Sequence, residues 1–262
     1  MSQANASIHP TALVHPGARL GANVEVGAYS LIGEHVEIGD DCKIGPHAVI
    51  TGHTRIGRGN RIFQFVSLGE EPQDKKYAGE PTRLEIGDDN TIREFCTIST
   101  GTVQDVGVTR LGDRNWIMAY VHIAHDCQVG SDTIFANNAT LAGHVQVDDY
   151  AILGGFTGVH QFCRIGAHVM IGIASVITQD VPPFLTIAGT PTAPHGINSE
   201  GLKRRGFGPE ALSALKRAYK TLYKSGLSLD AARSAIAEQA ETVPELRPLA
   251  DFLAIQGRGI IR

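Results

Sequence analysis

Aliphatic side chains, once replaced by Phe135, recur at every sixth position from Ile8 to Leu68, at Ile86, Ile92 and Ile98, and then from Leu111 to Ile177. Units such as "IGEHVE", "IGDDCK" and "LAGHVQ" put the aliphatic residue first, often glycine second, and a small residue or valine fifth. A six-residue repeat signifies a parallel β-helix, in which each hexad is a short strand plus a corner and stacked coils bury one continuous core. With three hexads per coil, residues one coil apart lie one above the other at about 4.8 Å, and about ten coils make a prism about 45–50 Å tall. The first hexad position fills the axis. The fifth points into a narrow corner and must be small. Spacing alone does not fix the hand, and the general preference for right-handed parallel connections is no guide here.

Two segments interrupt the pattern. "GEEPQDKKYAGEPTR" at 69–83 is polar, rich in Pro and Gly, and starts and ends in the same hexad register, so it reads as a loop thrown out of one coil, where function often sits. "GTVQDVGVTR" at 101–110 shifts the register by one residue, with no evident use. After "VPPF" at 181–184 the hexads stop. "GPEALSALKRAYKTLYKSG" at 208–226 is predicted to be a helix, with Pro209 in its first turn, Gly226 at its end and Leu212, Leu215, Tyr219, Leu222 and Tyr223 as its apolar stripe. "SLDAARSAIAEQAE" and "PELRPLADFLAIQ" read as two more helices, and helices here would cover the open end of the stack. The expected division is a β-helix over residues 1–190 and a C-terminal helical domain over 191–262.

Charge and composition narrow the partners. The net charge of −4 argues against general nucleic-acid binding, which needs a basic excess. The N-terminus lacks an apolar signal core and no run of apolar residues is long enough to span a bilayer, so a soluble cytoplasmic protein without stable membrane insertion is expected. Residues 201–262 are nevertheless basic, with 11 Lys/Arg against 6 Asp/Glu. Lys216, Lys220 and Lys224 share one helix face with Arg217 beside them, which is either a solvated face or a docking surface for an acidic partner. Cys42, Cys96, Cys127 and Cys163 all fall on the fifth hexad position and read as small core fillers, in keeping with a reducing compartment.

The stretch "AYVHIAHDCQVG" at 119–130 carries the candidate chemistry. His125 is third in its hexad, His122 sixth, His144 fourth and His160 second, so none occupies a core position. One coil beyond His125 lies Gly143, and one further lies Gln161. An imidazole beside a backbone N–H that no side chain shields is a usable acyl-transfer site: a base, and a donor for an oxyanion. Asp126 could orient an imidazole, but neighbouring strand residues point to opposite faces, which leaves its partner open. The competing reading of His122 and His125 is zinc ligation, as in the hexapeptide gamma-class carbonic anhydrases, since imidazole suits that ion.

The segments "QDKKYAGEPTR", "HIAHD", "ANNATLAGH", "GVHQFCRIGAHVMIG" and "EGLKRRGF" resemble those of the bacterial UDP-N-acetylglucosamine acyltransferases, over essentially the whole chain. The related N-acyltransferase carries an additional domain before its hexads, for which hexads starting at Ile8 are expected to leave no room. The resemblance implies a homotrimer of left-handed parallel β-helices with sites between neighbouring subunits. It also implies transfer of a 3-hydroxyacyl group from acyl carrier protein to the 3-hydroxyl of UDP-N-acetylglucosamine, the first step of lipid A synthesis. His125 matches the general base, Asp126 its support and Gly143 the oxyanion N–H. His122, His144, His160, Gln161, Asp74 and Lys76 match residues around substrate, and Asn198, Glu200 and Arg204 match nucleotide-side contacts. Met170 and Ile173 match residues that close the far end of the acyl groove, so a chain of about ten to twelve carbons is expected, each methylene being worth about 0.8 kcal/mol. Position 99, often histidine in the family, is Ser99. No metal, nucleotide coenzyme or prosthetic group is implied, because a thioester is already activated.

Overall fold

The computed structural model describes residues 6–255 and 257–262. Most hexads contribute a two-residue strand, and the strands line up in three sheets of 11, 9 and 8 strands, the three faces of a prism. Pairing is parallel throughout except at the end of the 11-stranded sheet. Its register is that of the hexads: Ile8 lies beside Val26, Val26 beside Ile44 and Ile44 beside Ile62. The first-position residues Ile50, Ile92, Ile123, Phe135 and Leu141 are wholly buried on the axis. Fifth-position Cys42, Ala48, Cys96, Cys127, Thr133, Ala139, Ala151, Thr157 and Cys163 are equally buried in the corners. Burial pushes the thiols of Cys96 and Cys127 up to about 12, which leaves them unreactive filler.

Corners, unlike strands, place adjacent side chains next to each other. In nearly every hexad the fourth residue adopts a left-handed φ, including Tyr29 at 58°, Asp126 at 59° and His144 at 63°. At the corner between the 11- and 9-stranded sheets this lines up Tyr29, His47, Phe65, Phe95 and Tyr120 in a stack with ring centroids 4.8–5.1 Å apart. The aromatic residues of this column stay exposed on the chain's surface.

Both interruptions leave from one corner, between the 9- and 8-stranded sheets. Leu68 pairs with Ile98, 30 residues on, and Ile98 with Ile123, 25 residues on, where an uninterrupted coil takes 18. The first insertion is therefore two hexads long, and the second is a hexad plus one, which accounts for its register shift. The loops are shorter than the sequence suggested. Arg83–Ile86 and Val108–Leu111 form four-residue strands, because Leu84 and Thr109 pair with each other in the sheet and are wholly buried.

The sheet also outlasts the hexads. Leu185–Ala188 adds a parallel strand beside Met170–Ile171, pairing Ile171 with Ile187, and Ala193–Ile197 returns antiparallel to it. The spacing from Ile171 to Ile187 is two residues short of a coil, so the six-residue count misses this strand. Four α-helices follow: α1 (Ser199–Arg204), α2 (Pro209–Tyr223), α3 (Leu229–Thr242) and α4 (Arg247–Ala254). Helix α1, too short to show a period, was not predicted. Leu212, Leu215 and Leu222 of α2 pack with Ile236, Leu249, Phe252 and Leu253 in a second core that includes Phe184 from the last coil. The C-terminal tail is tied to that coil, Asp180 donating from its N–H to Gly259 O at 2.8 Å and accepting from Ile261 N–H at 2.9 Å. Among the described residues no helix is long and apolar enough to cross a membrane.

Candidate active site

The corner that releases both loops also carries the histidine cluster, one and two coils further on. His125 and Asp126 occupy a turn, so their side chains meet, where strand neighbours would have diverged. His125 Nδ1 donates to Asp126 Oδ2 at 2.9 Å. The Asp126 side chain is wholly shielded from solvent, while that of His125 is 15% exposed. Burial works against the Asp126 charge, but hydrogen bonds from His125 and Thr102 outweigh it and hold the carboxyl below its usual range. Thr102 gives it both its N–H, at 2.9 and 3.0 Å, and its hydroxyl, at 2.6 Å. Thr109 Oγ1 accepts the Asp126 N–H at 2.8 Å. An ionised carboxylate only accepts, so the His125 proton sits on Nδ1 and the Nε2 lone pair is free to act as a base.

Gly143 lies one coil on, against the His125 ring. A Cβ built there would stand 2.5 Å from His125 Cε1 and 2.7 Å from Nε2. Only glycine lets the ring lie against this turn. Among the described residues no acceptor takes the Gly143 N–H. His144 follows, its ring edge-on to His125 with centroids 4.9 Å apart and stacked on Phe162 at 4.3 Å. Its Nδ1 is 2.6 Å from Asp105 Oδ2 in the second loop and 3.9 Å from Asp126. His122 points from the 9-stranded sheet and shares a 2.7 Å hydrogen bond with Thr97; burial and the neighbouring His125 lower its pKa. His160 and Gln161 are exposed one coil above Gly143.

Donor atoms of His125, Asp126 and His144 lie within 4.8 Å of one another, a spacing a metal ion can bridge. Both Nδ1 atoms face carboxylates and Asp126 is filled by Thr102, which leaves the two Nε2 atoms as the imidazole donors still open. The three-imidazole set of the carbonic anhydrase reading is not what this cluster of two histidines and one aspartate offers.

Other candidate residues fall elsewhere on the chain. Asp74 and Lys76 sit in the first loop of the same corner, Asp74 Oδ1 accepting from the Lys76 N–H at 3.0 Å. Asn198 caps α1 through a 3.1 Å bond from Gly201 N–H and donates to His168 O at 3.0 Å, which places it with Glu200 and Arg204 by a second corner. Met170 lies on the 11-stranded sheet, and Ile173 stands 72% exposed on the third corner. Lys216, Arg217, Lys220 and Lys224 are exposed along α2, and among the described residues none forms an ion pair. Ser99 is buried. Thr97, Thr102, Asp105 and Thr109 were not singled out from sequence. The signal that could have pointed to two of them is the odd-length insertion at the corner that one coil later carries His125.

Residues 180–261 match the family described as "Udp N-acetylglucosamine O-acyltransferase; Domain 2", and residues 109–143 match "Bacterial transferase hexapeptide (six repeats)". The acyl-[acyl-carrier-protein]–UDP-N-acetylglucosamine O-acyltransferase of Thiobacillus denitrificans is 70% identical over 203 residues, 78% of this chain and 79% of that one. Its counterpart in Janthinobacterium is 63% identical over 78% of this chain and 79% of that one. The chain also resembles the solved UDP-N-acetylglucosamine acyltransferase of Francisella novicida, with a TM-score of 0.96 and 44% identity over 97% of this chain and 94% of the other. The Moraxella catarrhalis structure gives 0.94 and 45% over 97% and 99%.

Proposed function

Because the chain belongs to the acyl-[acyl-carrier-protein]–UDP-N-acetylglucosamine O-acyltransferase family, we propose that His125 is its general base and that it moves a 3-hydroxyacyl group onto the glucosamine 3-hydroxyl, opening lipid A synthesis. The observation that carries this reading is the His125–Asp126 bond at 2.9 Å, which leaves Nε2 unprotonated. Nε2 takes the hydroxyl proton as the sugar oxygen attacks the thioester carbonyl. The Gly143 N–H stabilises the resulting oxyanion, and Asp126 the imidazolium. Collapse breaks the C–S bond, and the proton on His125 passes to the departing thiolate of the carrier. The Asp74–Lys76 loop, His122, His144, His160 and Gln161 surround the reacting groups, with Asn198, Glu200 and Arg204 on the nucleotide side.

Those nucleotide-side residues and the acyl-end residue Ile173 sit on corners other than that of His125, and Met170 on the 11-stranded sheet, so the site is read as closed by more than one chain. Three copies packed corner to face would join them, in a homotrimer, and would cover the exposed Tyr29, Phe65, Phe95, Tyr120 and Val176. The unpaired cations of α2 suit an acidic acyl carrier protein.

His125→Ala is the test. It is expected to fold and assemble as the parent does and to lose on the order of 10²–10⁴ in turnover, the usual worth of a positioned base. A loss no larger than that of His122→Ala, or parent activity abolished by a chelator and restored by zinc, would sink the assignment.

A further inference from the structure

We propose that Asp105 is a positioning residue that locks His144 with its proton on Nδ1, so that Nε2 serves as a hydrogen-bond acceptor for a neutral hydroxyl or amide N–H of the substrate. The inference rests on reading this corner as the acyl-transfer site.

Asp105 belongs to the second insertion, for which the sequence offered no use. That loop is anchored at both ends of its excursion. Thr102 binds the Asp126 carboxylate, and Gly107 O accepts the Arg83 N–H at 3.0 Å. Between these points Asp105 donates its own N–H to Thr102 O at 3.3 Å and extends its carboxylate to His144 Nδ1 at 2.6 Å. One loop therefore serves both imidazoles: Thr102 seats the carboxylate that holds His125, and Asp105 supplies the carboxylate that holds His144.

The surroundings of His144 leave it little choice of orientation. Its ring is stacked on Phe162 from the coil above and meets the edge of His125 from the coil below, and its side chain is only 13% exposed. The charged or titratable groups around it are Asp105, Asp126 at 3.9 Å and His125; its own turn contributes Gly143, and Phe162 carries no charge. Two carboxylates on the Nδ1 side and no comparable acceptor elsewhere keep that proton on Nδ1. An Nε2 lone pair then welcomes O–H or N–H and repels a phosphoryl oxygen, which has no hydrogen to give. His144 thus reads a hydroxyl or amide next to the reacting centre, and not the diphosphate.

The tautomer is measurable in the free protein by ¹⁵N NMR of histidine-labelled material, independent of turnover. The parent should give the Nδ1–H pattern for His144, and Asp105→Ala should lose it. Steady-state assays should show kcat/KM lowered on the order of tenfold in Asp105→Ala, the worth of a charge-assisted hydrogen bond discounted for a half-exposed carboxylate. Asp105→Glu should recover part of that loss, and Asp105→Ala/His144→Ala should be no slower than His144→Ala. If Asp105→Ala disturbs the loop, Asp105→Leu keeps the bulk without an acceptor and is read the same way. An unchanged His144 pattern in both variants, or losses that multiply in the double variant, overturns the proposal. Full activity in His125→Ala would instead overturn the acyl-transfer reading and leave the NMR result standing.

Discussion

Gly143→Ala separates the position of His125 from its chemistry. The substitution keeps the backbone N–H, adds no charge and leaves His125 and Asp126 intact. The φ of Gly143 lies outside the left-handed region, so alanine meets no backbone strain. What it does meet is the His125 ring: Cε1 at 2.5 Å, Nε2 at 2.7 Å and Nδ1 at 3.1 Å, where ordinary contact begins at 3.4 Å. The ring must retreat by about 1 Å to restore van der Waals distance. It is tethered through Nδ1 to a carboxylate that is itself fixed by Thr102, so the retreat tilts Nε2 away from the incoming hydroxyl. A misplacement of about 1 Å costs about 10²-fold in a reaction that depends on alignment.

The assay is steady-state acyl transfer with thermal unfolding alongside. Turnover should fall about 10²-fold while KM for the sugar nucleotide changes little, since the new methyl lies against the His125 ring. Overpacking of this kind costs about 1–3 kcal/mol, partly offset by about 0.4–1 kcal/mol from the stiffer unfolded chain, so the fold persists. Gly33→Ala is the control, in an N-terminal coil remote from the cluster, where the nearest atom is Thr51 Cα at 3.3 Å. Undiminished turnover in Gly143→Ala, or an equal loss in both variants, refutes the reasoning that His125 must lie on this glycine to act.

Two further outcomes are expected. Reversing Lys216 and Lys220 to glutamate should raise KM for acyl carrier protein and flatten its salt dependence; a rise in KM for the sugar nucleotide alone counts against a docking face. Ile173→Gly should shift preference towards longer acyl chains by up to about fourfold per methylene newly accommodated, and an unchanged profile across carriers of ten to fourteen carbons rejects Ile173 as the stop.

What could be read from sequence, and what could not, follows from which interactions are periodic. The stack repeats one steric rule per hexad, so Ile123, Leu141 and Val159 predict one another, and the column from His125 to Gly143 to Gln161 follows from counting alone. The same count fails wherever the chain departs from the rule: Ile187 comes two residues early, and α1 is too short to carry a period. The site lies at such a departure. Asp126 meets His125 only because a left-handed corner, not a strand, joins them. Thr102 and Asp105 reach the cluster from an insertion whose path no spacing encodes, since a loop is placed by the bonds it makes after folding. The repeat therefore locates His125, Asp126 and the glycine one coil above them, while Thr102 and Asp105, which bind the Asp126 carboxylate and His144, come from the segment that breaks the repeat. An odd-length insertion one coil before a corner histidine is, on this argument, the feature in such a sequence that points to the positioning residues.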